Sequence, residues 1–294
     1  MNLTTKITSS MGSGQNNSVN TLALCTTTTP PRMYFGGVTG TYTTHIGYFT
    51  LNGAFTFTGL TGTSSVTTIT SMCCTGTHVF VTGTFTQISG LTVTNVCKFD
   101  VATHTFSTIA SFNPTAAPVK VMYDTTTSQV AYIGNYTVTG QRQNITFFNS
   151  TGGGISSPTT TLSTGTLNTG FCKGGILYFG MKDGYDGLNN NVYANTGTIY
   201  MYNMNTNAWI GTLNGCWVGT YSCLYVDDGI DVYSCLNANA NLPLTIYTKN
   251  YYEIKYNNRV IQRLYYNGDA CMFNTYYDGT NYFSQSNKLE GYKN

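Results

Sequence analysis

Two loops gather acidic residues closely enough to hold a cation. KDGYDGLNNN (Lys182–Asn191) offers Asp183, Asp186 and Asn189 within one loop, and VDDGID (Val226–Asp231) offers Asp227, Asp228 and Asp231. Hard oxygen donors spaced along a flexible loop are what Ca²⁺ requires, so Asp183, Asp186 and Asn189 are the candidate metal ligands. Neither loop has the EF-hand pattern. Asp-Gly and Asn are also the residues that hairpin turns select, because they tolerate the dihedrals of a tight reversal. The turn reading is the preferred one, with no metal or other cofactor expected.

The remaining reactive side chains are scattered. There are 9 cysteines and 3 histidines, His45, His78 and His104. No CxxC pair occurs, which leaves a zinc site without support. Thiols acting as small buried hydrophobes are the reading adopted, and they suit a protein folded in a reducing compartment. His45 and His104 fall at or near outer strands or turns and are read as solvated. The G-x-S-x-G nucleophile elbow and the repeated S-x-D-x-G-x-x-W boxes of propeller sialidases are both missing. No pair among the 11 acidic residues is marked out as acid and base for glycoside hydrolysis. No catalytic residue is assigned and a non-enzymatic role is expected, a hydrolase being the least favoured alternative. Tyrosine pairs at 251–252, 265–266 and 276–277, with Trp217, could present a sugar- or protein-binding face, although core packing accounts for most such residues. Sequons at Asn2, Asn16, Asn135, Asn144 and Asn149 are expected by chance in a chain so rich in Asn and Thr.

The elements that must position these residues are strands. Charged residues are 8% of the chain, against about 25% in typical soluble domains. A net charge of +2 provides no basic stripe, so nucleic acid is not an expected partner. No apolar run reaches the ~18 residues of a membrane span, and the first residues lack a signal-peptide core, so membrane insertion is not expected. With 53 threonines, 24 tyrosines and 15 phenylalanines, the composition favours pleated surfaces. The fold class is all-β.

An apolar strand carrying an aromatic recurs along the chain: MYFGG, VFVTG, AYIGN, LYFGM, VYSCL and NYFSQ, with Tyr34, Phe80, Tyr132, Tyr178, Tyr233 and Tyr282 aligned at spacings of 46, 52, 46, 55 and 49 residues. A second element follows in phase. It runs strand, aromatic, polar turn, large apolar residue, as in Val96–Ile109 and Ile199–Leu213, with turns at Asp100–Thr103, Asn149–Gly152 and Asn203–Asn207. Phe55, Phe106, Ile155 and Trp209 hold the last apolar place, and Glu253–Leu264 is a looser copy. A short strand, usually with a cysteine, precedes each aromatic strand: Thr21–Cys25, Ser71–Thr75, Val119–Tyr123, Gly170–Gly174, Ser222–Val226 and Ala270–Asn274. A period near 50 is that of a four-stranded propeller blade. The expectation is one domain over residues 1–294, a six-bladed β-propeller of four-stranded antiparallel blades. Residues 1–10 would complete the last blade, with Lys288–Tyr292 as its third strand. Closure of this kind removes exposed sheet edges.

The best-preserved copy, VFVTGTFTQISGLTVTNVCKFDVATHTFSTI, resembles the kelch-like propeller repeats of surface proteins such as the fungal cell-polarity marker family. Gly83, Phe85, Thr86, Gly90, Asn95, Val96, Phe99, Asp100 and Thr103 carry the match, which is partial over the first, third and fourth copies and poor over the last two. The resemblance implies a propeller fold and carries no activity. The Thr-, Gly- and Tyr-rich, charge-poor composition also resembles structural proteins of large DNA-virus particles. The functional expectation is a structural or recognition propeller in a large assembly, a virion protein put together in a reducing cytoplasm, with other protein subunits as partners. The alternative is a carbohydrate- or protein-binding propeller at a cell surface, with glycans as possible ligands.

Overall fold

The computed structural model describes residues 19–37, 45–51, 57–60, 65–138, 141–154, 156–157, 166–182, 185–186, 191–192, 197–217, 221–226, 232–236, 244–247, 251–256, 259–265, 273–277 and 282–286, with backbone alone at 57, 141–143, 166, 168, within 181–199 and from Gly211 onward. Every regular element among them is a strand.

The first sheet runs β1 (Val19–Cys25), β2 (Arg32–Gly37), β3 (Ile46–Thr50), β4 (Phe57–Gly59), in that order. The second is built from β5 (Val66–Cys74), β6 (His78–Phe85), β9 (Val96–Asp100) and β10 (Phe106–Ser107), with the small hairpin β7 (Gln87–Ile88) and β8 (Leu91–Thr92) inserted between its middle strands. The third holds β11 (Lys120–Asp124), β12 (Gln129–Val138) and β13 (Gln141–Asn149). The fourth is β14 (Thr166–Lys173), β15 (Ile176–Lys182), β18 (Gly197–Asn203) and β19 (Ala208–Trp217), with the hairpin β16 (Tyr185–Asp186) and β17 (Asn191–Val192) at the place that β7 and β8 hold in the second. All neighbours with a described register are antiparallel.

The fifth sheet departs from expectation. It has five strands: β20 (Tyr221–Val226), β21 (Val232–Leu236), β22 (Leu244–Tyr247), β23 (Tyr251–Tyr256) and β24 (Arg259–Tyr265). The hairpin expected as strands three and four therefore lies one strand further out. The short run LTIY inserts before it and pairs with both neighbours. The sixth sheet shows β25 (Phe273–Tyr277) and β26 (Tyr282–Ser286). Among the described residues the third sheet has three strands and the sixth two. Phe55, Ile155, Lys288–Tyr292 and residues 1–10 lie outside the described residues.

The aromatic repeat has a plain structural meaning: Tyr34, Phe80, Tyr132, Tyr178, Tyr233 and Tyr282 all sit on the second strand of their sheets. In the first five sheets that strand is flanked on both edges, and in the first four its aromatic is at most 2% exposed, as in Phe80 at 0% and Tyr178 at 2%. Strands covered on both faces read as near-continuous apolar runs. Gly83 on β6 is required by a close approach, since a Cβ there would meet the Thr68 carbonyl oxygen at 2.2 Å.

The turns repeat as well. Asp100 Oδ1 accepts the amides of Ala102 and Thr103, both at 2.8 Å. Asn149 Oδ1 accepts from Thr151 at 3.0 Å and Gly153 at 2.9 Å, and Asn203 Oδ1 from Asn205 at 2.9 Å and Thr206 at 3.1 Å. The predicted turn chemistry at these three places is what the backbone uses. A further bond recurs at the other side of the turn. Leu51, Val101 and Met204, each just past a third strand, donate to the carbonyls of Pro31, Thr77 and Gly175 at 2.7, 2.9 and 2.8 Å.

The chain divides into two compact units, one of residues 1–123, 136–141 and 147–155, the other of 124–135, 142–146 and 156–294. In the first, β1 packs on β5. Hydroxyls and amides tie the neighbouring sheets together. Asn20 Nδ2 donates to Thr68 Oγ1 at 2.9 Å, the Met72 amide to Thr21 Oγ1 at 3.0 Å, and Thr82 Oγ1 to the Pro118 carbonyl at 2.9 Å. The core there includes Tyr34, Ile69, Val79, Cys97 and Phe99. In the second unit β14 packs on β20. Asp124 is buried there, accepting from the Thr127 amide at 2.8 Å and the Gly175 amide at 3.2 Å. The threonine content thus has a use beyond solubility: hydroxyls make the joints that charges make in other proteins.

Candidate interaction site

Within the first unit, titratable side chains converge where β2 and β3 of the first sheet meet the β9–β10 turn of the second. Arg32 opens β2, two residues before the core aromatic Tyr34. Tyr48 lies opposite Tyr34 on β3. His104 enters from the facing sheet because the turn begun by Asp100 ends there with a left-handed residue, φ 58°. Asn207 holds the corresponding place in the fourth sheet, with φ 51°.

Arg32 Nη1 donates to the Val101 carbonyl at 2.7 Å and to His104 Nε2 at 3.2 Å, while its guanidinium lies over the Tyr48 ring, 4.9 Å from the centroid. The Tyr34 hydroxyl also approaches His104 Nε2, at 3.2 Å. An arginine can only donate, so Nε2 must be the acceptor and the imidazole neutral. The electrostatics agree. Burial, and then the Arg32 charge, lower the His104 pKa. Burial pushes the Tyr34 phenol up to about 12, with Arg32 opposing the shift. The rings pack closely, Tyr34 to Phe99 at 5.3 Å and Tyr48 to His104 at 5.0 Å between centroids. Among the described residues no carboxylate reaches Arg32, whose partners are a carbonyl, an imidazole and two tyrosines. The result is a cation held over an aromatic at a half-exposed position.

The equivalent place at the next joint holds His78, Phe80 and Lys98 against the β13 turn. Lys98 Nζ donates to the Thr151 carbonyl, and burial lowers its pKa. His78 is also lowered, by burial first and the Lys98 charge second.

The histidines read as solvated from sequence are half-buried and hydrogen-bonded. His104 has the partners above, and His45 Nδ1 contacts the Gly37 carbonyl at 3.4 Å. The reading failed because it treated each turn alone, whereas a turn at the outer end of one sheet lies against its neighbour. Of the candidate calcium ligands, Asp186 is placed as backbone on β16, while Asp183 and Asn189 lie outside the described residues, as do Asp227, Asp228 and Asp231. The tyrosine pairs and Trp217 fall on or beside β23, β24, β25 and β19, and their side chains lie outside the described residues. Among the described residues no group of three His, Cys, Asp or Glu side chains could hold a metal. Cys97 is fully buried, and burial alone raises its thiol pKa, as a core filler requires. The sequon at Asn144 is buried at 3% exposure, its Nδ2 donating to the Gly134 carbonyl at 3.3 Å.

No family model matches the chain, and no curated protein matches it. Among solved structures, the extracellular domain of a hybrid two-component system from B. thetaiotaomicron matches with a TM-score of 0.52 and 13% identity, over 79% of this chain and 27% of that one. U3-55K and the WD40 repeats of RRP9 each match with a TM-score of 0.45 and 12% identity over 64% of this chain, and over 50% and 49% of theirs. The chain spans half or less of each of these proteins. At 13% identity the first likeness is one of fold alone. Neither a kelch nor a viral identity is shown by it.

Proposed function

We propose that this protein is a non-enzymatic, protein-binding scaffold, and that the Arg32–Tyr48–His104 cluster is its contact surface. The observation that carries the reading is the Arg32 guanidinium, fixed by the Val101 carbonyl and the Tyr48 ring with no described carboxylate to neutralise it. Arginine and tyrosine dominate the energetics of protein interfaces because they combine buried area with directed donors. Prior fixing lowers the ordering cost of binding. In a chain with 8% charge such a cation is conspicuous. The propeller-like fold lends no support to the capsid role expected from composition. Assembly in a reducing compartment remains part of the proposal.

Six four-stranded blades closed by residues 1–10 remain part of the proposal. The support comes from repeat equivalence. On β5, Met72 is 5% exposed on the face turned to the first sheet. The matching face of β1 carries Leu22 and Leu24, which are 60% and 49% exposed. A preceding blade would cover them. Removing residues 1–10 is expected to lower the melting temperature, and an unchanged value would defeat the closure.

Affinity purification of the tagged full chain, wild type against Arg32→Ala, tests the binding role. A protein recovered at fixed stoichiometry should fall at least tenfold with the variant, while circular dichroism stays close to wild type and the melting temperature falls by only a few degrees, as two lost hydrogen bonds would cause. Equal recovery by both proteins would remove Arg32 from the interface. A glycan-array signal without a stoichiometric protein partner would overturn the reading in favour of a lectin.

A further inference from the structure

Two cysteines at the joint between the first two sheets have no part in the proposed binding surface. We propose that Cys25 and Cys74 are a redox-switchable pair that closes to a disulfide when a small peroxide supplies the oxidising equivalents. Cys25 ends β1 and Cys74 ends β5, the two first strands that pack together. Both sulfurs meet the same glycine. Cys25 Sγ donates to the Gly76 carbonyl at 3.7 Å, and the Gly76 amide donates to Cys74 Sγ at 3.3 Å. Burial first, and then the neighbouring Cys25, push the Cys74 thiol up to about 12.

Alternation along the strand excludes the neighbouring cysteine. Cys73 lies opposite Phe80 in the ladder, and successive side chains on a strand point to opposite faces, so Cys74 and not Cys73 is turned to the first sheet. Cys25 is 1% exposed and Cys74 half-buried, which admits a molecule the size of hydrogen peroxide more readily than a peptide disulfide. One thiolate attacks a peroxide oxygen; an S–O bond forms, the O–O bond breaks and hydroxide leaves, giving a sulfenic acid. The second thiolate then attacks that sulfur, forming the S–S bond and expelling hydroxide. Two thiols are oxidised by two electrons, peroxide is reduced, and the two thiol protons end in two waters. The raised Cys74 pKa makes the thiolate scarce, so reaction is slow at neutral pH and faster at alkaline pH.

Oxidation of the full chain with hydrogen peroxide, followed by peptide mapping without reductant, tests this. The expected result is a Cys25–Cys74 cross-linked peptide. The melting temperature should rise by roughly 5–15 °C, because the bridge closes a long loop in the unfolded chain, and dithiothreitol should reverse both changes. Cys74→Ser should lose both responses and Cys73→Ser should keep them. Recovery of Cys25 as a sulfinic acid, a different pairing, or a rise in melting temperature that survives Cys74→Ser would overturn the proposal. The wild-type peptide map decides the matter even if a serine variant fails to fold. Its outcome is independent of whether Arg32 binds a partner.

Discussion

The joint between the first and second sheets and the joint between the second and third occupy the same place in the repeat, yet they are finished differently. Each sends a cation from one sheet to a turn carbonyl of the next, Arg32 to Val101 and Lys98 to Thr151. In the first joint the cation comes from the second strand and the third strand supplies the aromatic, Tyr48. In the second the roles are exchanged, with Lys98 on the third strand and Phe80 on the second. Lysine acts there as a point charge, and the turn closes on it without a side chain. A Cβ on Gly152, where φ is 85°, would lie 3.2 Å from Lys98 Nζ and 3.3 Å from Phe80. At this turn the second joint leaves no room for a side chain. The first leaves a planar guanidinium on a ring and couples it to a neutral histidine. The same backbone frame therefore supports two differently finished joints, and the proposed contact surface depends on which strand carries the cation.

The sharpest way to break the comparison is Phe80→Ala. The ring is fully buried in the second joint, and its removal should cost about 3–5 kcal/mol by urea denaturation, with the Arg32–Val101 contact of the first joint left intact. A loss below ~1 kcal/mol would mean that Phe80 does not anchor the second joint. Gly152→Ala should cost about 1–3 kcal/mol, from the left-handed backbone and the crowding of Lys98. The same substitution at Gly90, where φ is 78° but no atom lies within 4 Å, should cost less. If the two variants melt alike, crowding at Gly152 is not what closes the joint.

Tyr34→Phe removes one donor to His104 and should cost about 1 kcal/mol in the first joint only. It should also change the alkaline limb. The Tyr34 phenol is raised to about 12 in the fold, so its contribution is complete below its ordinary pKa of about 10 and is lost as pH rises through 12. The Phe variant should lack that part of the decline. The acid limb belongs to the histidines. All three are lowered in the fold, so the unfolded chain takes up protons first. Stability is complete above about pH 6.5 and falls as pH drops below it. His104→Asn keeps a residue that accepts the left-handed turn and should flatten the slope of melting temperature against pH. An unaltered slope would assign the acid sensitivity to His45 and His78.

The sequence by itself determined the class, the period and the strand that carries each buried aromatic, because alternation, β-branched composition and turn residues are local properties. Tyr34, Phe80, Tyr132 and Tyr178 could be placed from spacing alone, and Asp100, Asn149 and Asn203 announced their turns through side chains that bond the next few amides. The fifth sheet was not legible, since LTIY is too short and too plain a run to be told from a loop. The interaction site was hidden for a different reason. Arg32 and His104 are 72 residues apart, and neither has a distinctive neighbour in sequence. Likewise Cys25 and Cys74 read as separate core fillers. What joins them is the packing of one sheet's first strand and second-strand opening against the corresponding edge and turn of the next. Only the tertiary structure decides that, because contacts between sheets depend on how whole sheets stack and not on the pattern within any one of them.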